Sequence, residues 1–97
     1  MITSKQRSQL KSIVQNEDTI IMIGKGGIND TVISSVKDAL KAREIVKGRV
    51  LENSMVTPRE ACEALAVACG AEPVQVIGSK FVLYKRNNEN PKIQLVR

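Results

Sequence analysis

Residues 20–30 read IIMIGKGGIND: an apolar run, then three glycines within four positions with a lysine among them, then a polar pair. A glycine-rich turn between a strand and a helix can hold phosphate groups. Without side chains at its ends, a sugar-phosphate backbone can approach the main chain closely. Free N–H groups and the positive end of the following helix dipole then face the phosphates. Lys25 adds a full positive charge, and Asn29 stands where the helix would be capped.

Three spacings use glycine in this way. The P-loop pattern G-x-x-x-x-G-K-[ST] is absent. The dinucleotide fingerprint G-x-G-x-x-G begins at Gly24-Lys25-Gly26 but meets Asn29 at its third glycine, although Glu44 lies at the distance of a ribose-binding acid. A G-x-x-G loop, Gly24-Lys25-Gly26-Gly27, fits in full. RNA-binding domains of the KH kind clamp nucleic-acid backbone with such a loop. A tight turn alone would need one glycine, and here there are three beside a lysine.

Other chemistry finds little to work with. The chain has no histidine. No Ser or Cys sits in a nucleophile motif, and the acids form no evident catalytic pair. The two cysteines, Cys62 and Cys69, fall in one helical segment. Seven helical residues separate them by roughly 10 Å along the axis, too far for a disulfide and without metal-ligand spacing. They read as small buried hydrophobes. The expectation is a protein that is not an enzyme and holds no metal or cofactor.

Net charge is +5 and the pI about 9.5, which points to an anionic partner, nucleic acid first. The charge is uneven. Residues 59–72 carry −2, leaving +7 for the remainder. At 97 residues the chain suits one domain, 1–97, with 42% hydrophobic residues to build a core. No apolar run approaches a membrane span of ~20 residues, and the N-terminus lacks the pattern of a signal peptide. A soluble, cytoplasmic protein is expected.

The elements that must position the glycine turn follow from periodicity. A first helix is expected over 4–15, capped by Thr3 with Gln6 completing a capping box. Leu10, Ile13 and Val14 form its apolar stripe, and Arg7 and Lys11 lie at the stripe's edge. Strand one, Thr19–Ile23, is apolar enough to be buried on both faces. Helix two follows over about 30–42, with Lys37 and Lys41 one turn apart on a flank that reads as a solvated face in preference to a phosphate contact. Strand two spans about 45–51. It places Lys47 and Arg49 on one face, with Gly48 marking a bulge between them. Thr57, Pro58, Glu60 and Gly70 bound a third helix, whose Ala61, Cys62, Leu65, Ala68 and Cys69 should face the core. Two strands then pair across Gly78-Ser79 as a type II′ hairpin. The tail begins polar, with Ile93, Leu95 and Val96 able to dock. The order α-β-α-β-α-β-β, with a right-handed β-α-β crossover, predicts a compact α/β domain with a mixed four-stranded sheet.

Four stretches, KQRSQLKSI at 5–13, IGKGGIND at 23–30, ALKAREIVKGRV at 39–50 and VQVIGSKFVLYKR at 74–86, resemble the CRM domain (chloroplast RNA splicing and ribosome maturation) in its stand-alone bacterial YhbY-type form. With the helix between them they span essentially the whole chain. The resemblance implies a fold related to the C-terminal domain of translation initiation factor three. It also implies binding to ribosomal RNA in precursors of the large subunit, with ribosomal proteins as further contacts. Gly24 and Gly27 match the family's GxxG, with Lys25 and Gly26 as its variable pair, and Lys47 falls where the family has a lysine after its HEL-(I/V) segment. The chain departs there at Arg43, Ile45 and Gly48, which stand in place of histidine, leucine and a β-branched residue. Phe81 and Tyr84, the only aromatics, sit in a core-like strand. Recognition should therefore rest on backbone and shape.

Overall fold

The computed structural model describes residues 2–89 and 91–96. Local chemistry fixes the helix starts. In α1 (Ser4–Val14) the Gln6 N–H donates to Thr3 Oγ1 at 3.1 Å and the Thr3 N–H to Gln6 Oε1 at 2.9 Å. The same reciprocal box joins Thr57 and Glu60 at the start of α3 (Pro58–Cys69). In α2 (Asp30–Arg43), Asn29 Oδ1 accepts the Val32 N–H at 2.9 Å. Each cap satisfies a donor that the first helical turn leaves open.

The strands are β1 (Ile21–Ile23), β2 (Ile45–Val50), β3 (Glu72–Ile77) and β4 (Lys80–Tyr84), in the sheet order β1-β2-β4-β3. β1 and β2 are parallel and the other pairs antiparallel, as the pattern predicts. Alternation along the strands divides the core in two. One face carries Ile21, Ile23, Val46, Phe81 and Leu83 against α2 and α3. The other carries Ile45, Val74, Val82 and Tyr84 against Leu10 and Val14 of α1, with Ile93 and Leu95 of the tail. The β3–β4 turn has positive φ at Gly78 and not at Ser79, as a type II′ turn requires.

Several expectations need correction. β1 is shorter than Thr19–Ile23 and is not buried on both faces, because Met22 is 56% exposed. It is an edge strand, and α1 and the tail cover the other half of that face. Gly48 marks no bulge. A Cβ there would lie 2.3 Å from Phe81 Cζ, because the ring of its cross-strand partner occupies that space. The register shift lies in β3 instead, between Pro73 and Gln75. In α3, Ala66 is buried and Ala68 exposed. At 100° per residue, Ala68 falls just beyond the arc set by Ala61, Leu65, Cys69 and Ala66. In the tail, Ile93 and Leu95 pack inward, whereas Val96 stays partly exposed and is held by its backbone. Gln6 Nε2 donates to the Val96 carbonyl, and the Val96 N–H donates to Gln9 Oε1, each at 2.8 Å.

Among the described residues, the α2–β2 junction holds the one non-glycine with positive φ. Glu44 has φ 65°, a conformation that costs a non-glycine residue roughly 1–2 kcal/mol. Its carboxylate is fully buried and accepts the N–H groups of Asn87, Lys92 and Ile93. Burial alone would raise this carboxyl's pKa. The three backbone donors and the nearby Arg86 outweigh it and hold the group below the usual carboxylate range.

Candidate nucleic-acid interface

β1 ends at the fully buried Ile23, whose carbonyl accepts the Leu51 N–H at 2.8 Å. The chain then reverses within Gly24–Gly27, closed by the Gly27 N–H on the Gly24 carbonyl at 3.0 Å. Gly27 has φ 66°, so the turn itself demands a glycine there. The other two answer to no comparable demand. A Cβ at Gly24 would make ordinary contacts at 3.5 and 3.6 Å, and one at Gly26 would approach only the exposed amide of Asn29, at 3.3 Å. The fold thus accounts for one glycine of three, and the other two leave bare backbone.

Lys25 and Gly26 are exposed at the tip. Among the described residues their N–H groups have no hydrogen-bond partner, nor do those of Asp30 and Thr31 at the start of α2. Asn29 spends its Oδ1 on the cap and keeps its Nδ2 as an exposed donor. The Asp30 carboxylate lies in the same first turn and opposes the charge of Lys25. The turn is therefore a concentration of open donors, with little net charge of its own.

The cations come from the neighbouring sheet. Met22, Arg49 and Lys80 are register partners across β1, β2 and β4. With Lys47, two residues before Arg49, they form a strip on the α1 side of the sheet that α1 does not cover. Met22 and Ile77 flank the cations with exposed apolar surface. Lys11 lies on the flank of α1 that also bears Arg7. Lys80 was not legible as part of this strip, because its place beside Arg49 depends on the β2–β4 register.

Arg7 has a different task. Its Nη1 donates to the carbonyls of Pro73 and Val74 at 2.6 and 2.9 Å, where the irregularity in β3 leaves backbone acceptors open. That position is at the far edge and opposite end of the sheet from the glycine turn. The structure therefore does not bring Arg7 to Gly24–Gly27.

Other chemistries are disfavoured by geometry. Glu44 cannot reach a ribose at the turn. Its carboxylate is occupied by the tail, and α2 separates the two by roughly 20 Å. Burial pushes the Cys62 thiol up to about 11, with Glu63 adding and Arg59 opposing, and burial also raises Cys69. Phe81 and Tyr84 are buried, so neither can stack on a base. Among the described residues, no group of three or more His, Cys, Asp or Glu side chains could hold a metal, and no helix is long and apolar enough to cross a membrane.

Residues 2–85 match the family model of the CRS1 / YhbY (CRM) domain. The chain is 40% identical over 95 residues to "Probable RNA-binding protein YqeI" of Bacillus subtilis, covering 98% of this chain and 99% of that protein. It is 31% identical over 96 residues to "RNA-binding protein" of Haemophilus influenzae, covering 99% and 96%. The solution structure of SAV1595 from Staphylococcus aureus superposes with a TM-score of 0.81 at 44% identity, covering 99% of this chain and 100% of that one.

Proposed function

Because this chain belongs to the CRS1 / YhbY (CRM) family, which supports RNA binding, we propose that it grips RNA backbone at the Gly24–Gly27 turn and acts on ribosomal RNA of large-subunit precursors. The observation that carries this reading is the surplus of glycine: one of three is needed by the turn, and open N–H groups surround the rest. Phosphates of the strand lie against the donors of Lys25, Gly26 and the first turn of α2. The strand then crosses the strip of Lys47, Arg49 and Lys80, with Lys11 beside it. Arg7 supports this surface by holding α1 to β3. The role needs no catalytic step. By binding one folded form of immature RNA better than its alternatives, the protein shifts the population toward that form. It would act in the cytoplasm, with ribosomal proteins as secondary contacts.

Fluorescence anisotropy on a structured large-subunit RNA fragment, across a salt series, tests the reading. A turn that engages three to five phosphates gives log K against log salt a slope of roughly −2 to −4. Lys25→Asp/Gly26→Asp, which keeps Gly24 and Gly27, should bind much more weakly with a flatter slope and an unchanged circular dichroism spectrum. Lys25→Glu alone should move both quantities in the same direction. Wild-type binding by both folded variants would reduce the glycines to a turn and refute the reading.

A further inference from the structure

At the other end of α2, a cleft of about 460 Å³ opens between that helix and the segment that follows β4. Its rim holds Lys37 and Lys41 from α2, and Lys85 and Arg86 from the segment. Leu40 and Cys69 form an apolar floor. Glu89 is the single acid among the described lining residues. Four cations against one acid, above an apolar floor, match a nucleotide's phosphate and base better than any neutral ligand.

The walls are fixed in advance. Lys85 Nζ donates to the Cys69 carbonyl at 2.9 Å, closing the end of α3. Asn87 joins the segment to the rest of the domain twice: its N–H donates to Glu44 Oε2 at 2.7 Å, and its Nδ2 to the Lys41 carbonyl at 2.9 Å. Lys37, Lys41 and Arg86 have no hydrogen bond or ion pair among the described residues. The charges of Lys37 and Lys41 face the cleft without an internal partner, while Arg86 also lies near the buried Glu44 carboxylate, and the frame that carries them need not reorganise to receive a ligand.

Lys37 and Lys41 share one flank of α2 with Ser34, and that flank begins at the glycine turn. From Asp30 to Lys41 is roughly 16 Å, at ~1.5 Å per residue. A single strand leaving the turn can follow this flank within a few nucleotides. We propose that the cleft is a second RNA site, which seats a nucleotide of the strand held at the Gly24–Gly27 turn. Phosphate lies on Lys37, Lys41 and Arg86, and the base rests over Leu40 and Cys69. The assignment rests on the backbone-binding reading of the turn, but it can fail separately from it.

The test uses the full chain and a single-stranded RNA of about twelve nucleotides. Lys37→Glu/Lys41→Glu should weaken binding roughly tenfold or more at low salt. It should also flatten the slope of log K against log salt by about 1.4, for two lost phosphate contacts. Lys5→Glu/Arg59→Glu removes the same charge at exposed positions elsewhere and should leave the slope unchanged. In a ¹⁵N spectrum, the Asn87 and Asn88 amides should shift on adding RNA to the wild type and stay still in Lys37→Glu/Lys41→Glu. A cleft variant with wild-type affinity and slope overturns the proposal, as does a control that loses as much as the cleft variant. If the turn variant loses binding and the cleft variant does not, the second site falls and the turn reading stands. If the cleft variant loses binding and the turn variant does not, the turn reading falls. The same amides shifting equally with free AMP would assign the cleft to mononucleotides and overturn the RNA assignment.

Discussion

Replacing Glu44 with glutamine keeps the side chain's shape and removes its charge. Oε1 takes the N–H groups of Lys92 and Ile93, and Oε2 takes that of Asn87. With the amide oxygen in the Oε1 position, two acceptor contacts survive as neutral bonds, and the amide nitrogen meets the Asn87 N–H donor to donor. One hydrogen bond to a charged group is lost, at about 1.5–3 kcal/mol, and two are weakened by about 0.5–1 kcal/mol each. The sum is roughly 2.5–5 kcal/mol. The chain can escape part of it by releasing residues 87–96 into water, so the global loss is smaller than the local one. Amide exchange reads the local part. Lys92 and Ile93 should lose protection first, and Tm should fall by at least about 5 °C, given roughly 4–8 °C per kcal/mol for a domain of this size. The wild type adds a sign to check. A carboxyl held low in the folded chain binds its proton more readily when unfolded, so its contribution is complete above about pH 4.3 and drains as pH falls toward the lowered folded value. Glu44→Gln should lack that part of the acid limb. Amides 92 and 93 exchanging at wild-type rates, together with an unchanged acid limb, would refute the reasoning.

Two further outcomes follow from the core. Gly48→Val should cost about 1–3 kcal/mol or more in urea denaturation, because its Cβ overlaps the Phe81 ring. Phe81→Leu in the same chain should restore part of that loss, and strictly additive costs would contradict the packing described. Both thiols should resist a disulfide reagent at pH 8 in the native protein and react once it unfolds, since both are buried and Cys62 titrates near 11. Rapid native labelling of Cys62 would show that α3 opens, whereas Cys69 could be reached through the cleft it lines.

Much of this molecule could be read from local spacing. Thr57, Pro58, Glu60 and Gly70 delimit α3 because caps, a first-turn proline and a left-handed terminus are all decided within a few residues. The glycine turn was legible for the same reason. What escaped depends on partners distant in sequence. Gly48 looks like a defect until Phe81 is set across from it. Arg7 looks like a surface cation until β3 leaves its carbonyls open. Lys37 and Lys41 read as a solvated flank until Lys85 and Arg86 face them across a cleft. Glu44, a plausible ribose ligand by spacing, fastens the tail.

That fastening sets an order of events at the ribosome that synthesises the chain. Glu44 is made 43 to 49 residues before the amides that receive it. At roughly 5–20 residues per second, the interval is about 2 to 10 s. Until those amides arrive the carboxylate lacks its three backbone donors, and the left-handed turn at its backbone rests first on the Glu44 N–H bond to the Leu40 carbonyl and later on the Lys85 N–H bond to the Glu44 carbonyl. The α1 face of the sheet cannot close until Lys92, Ile93 and Leu95 have been made, whereas the core on the other face is complete in sequence by Leu83, so the two halves of the domain become able to fold at different times.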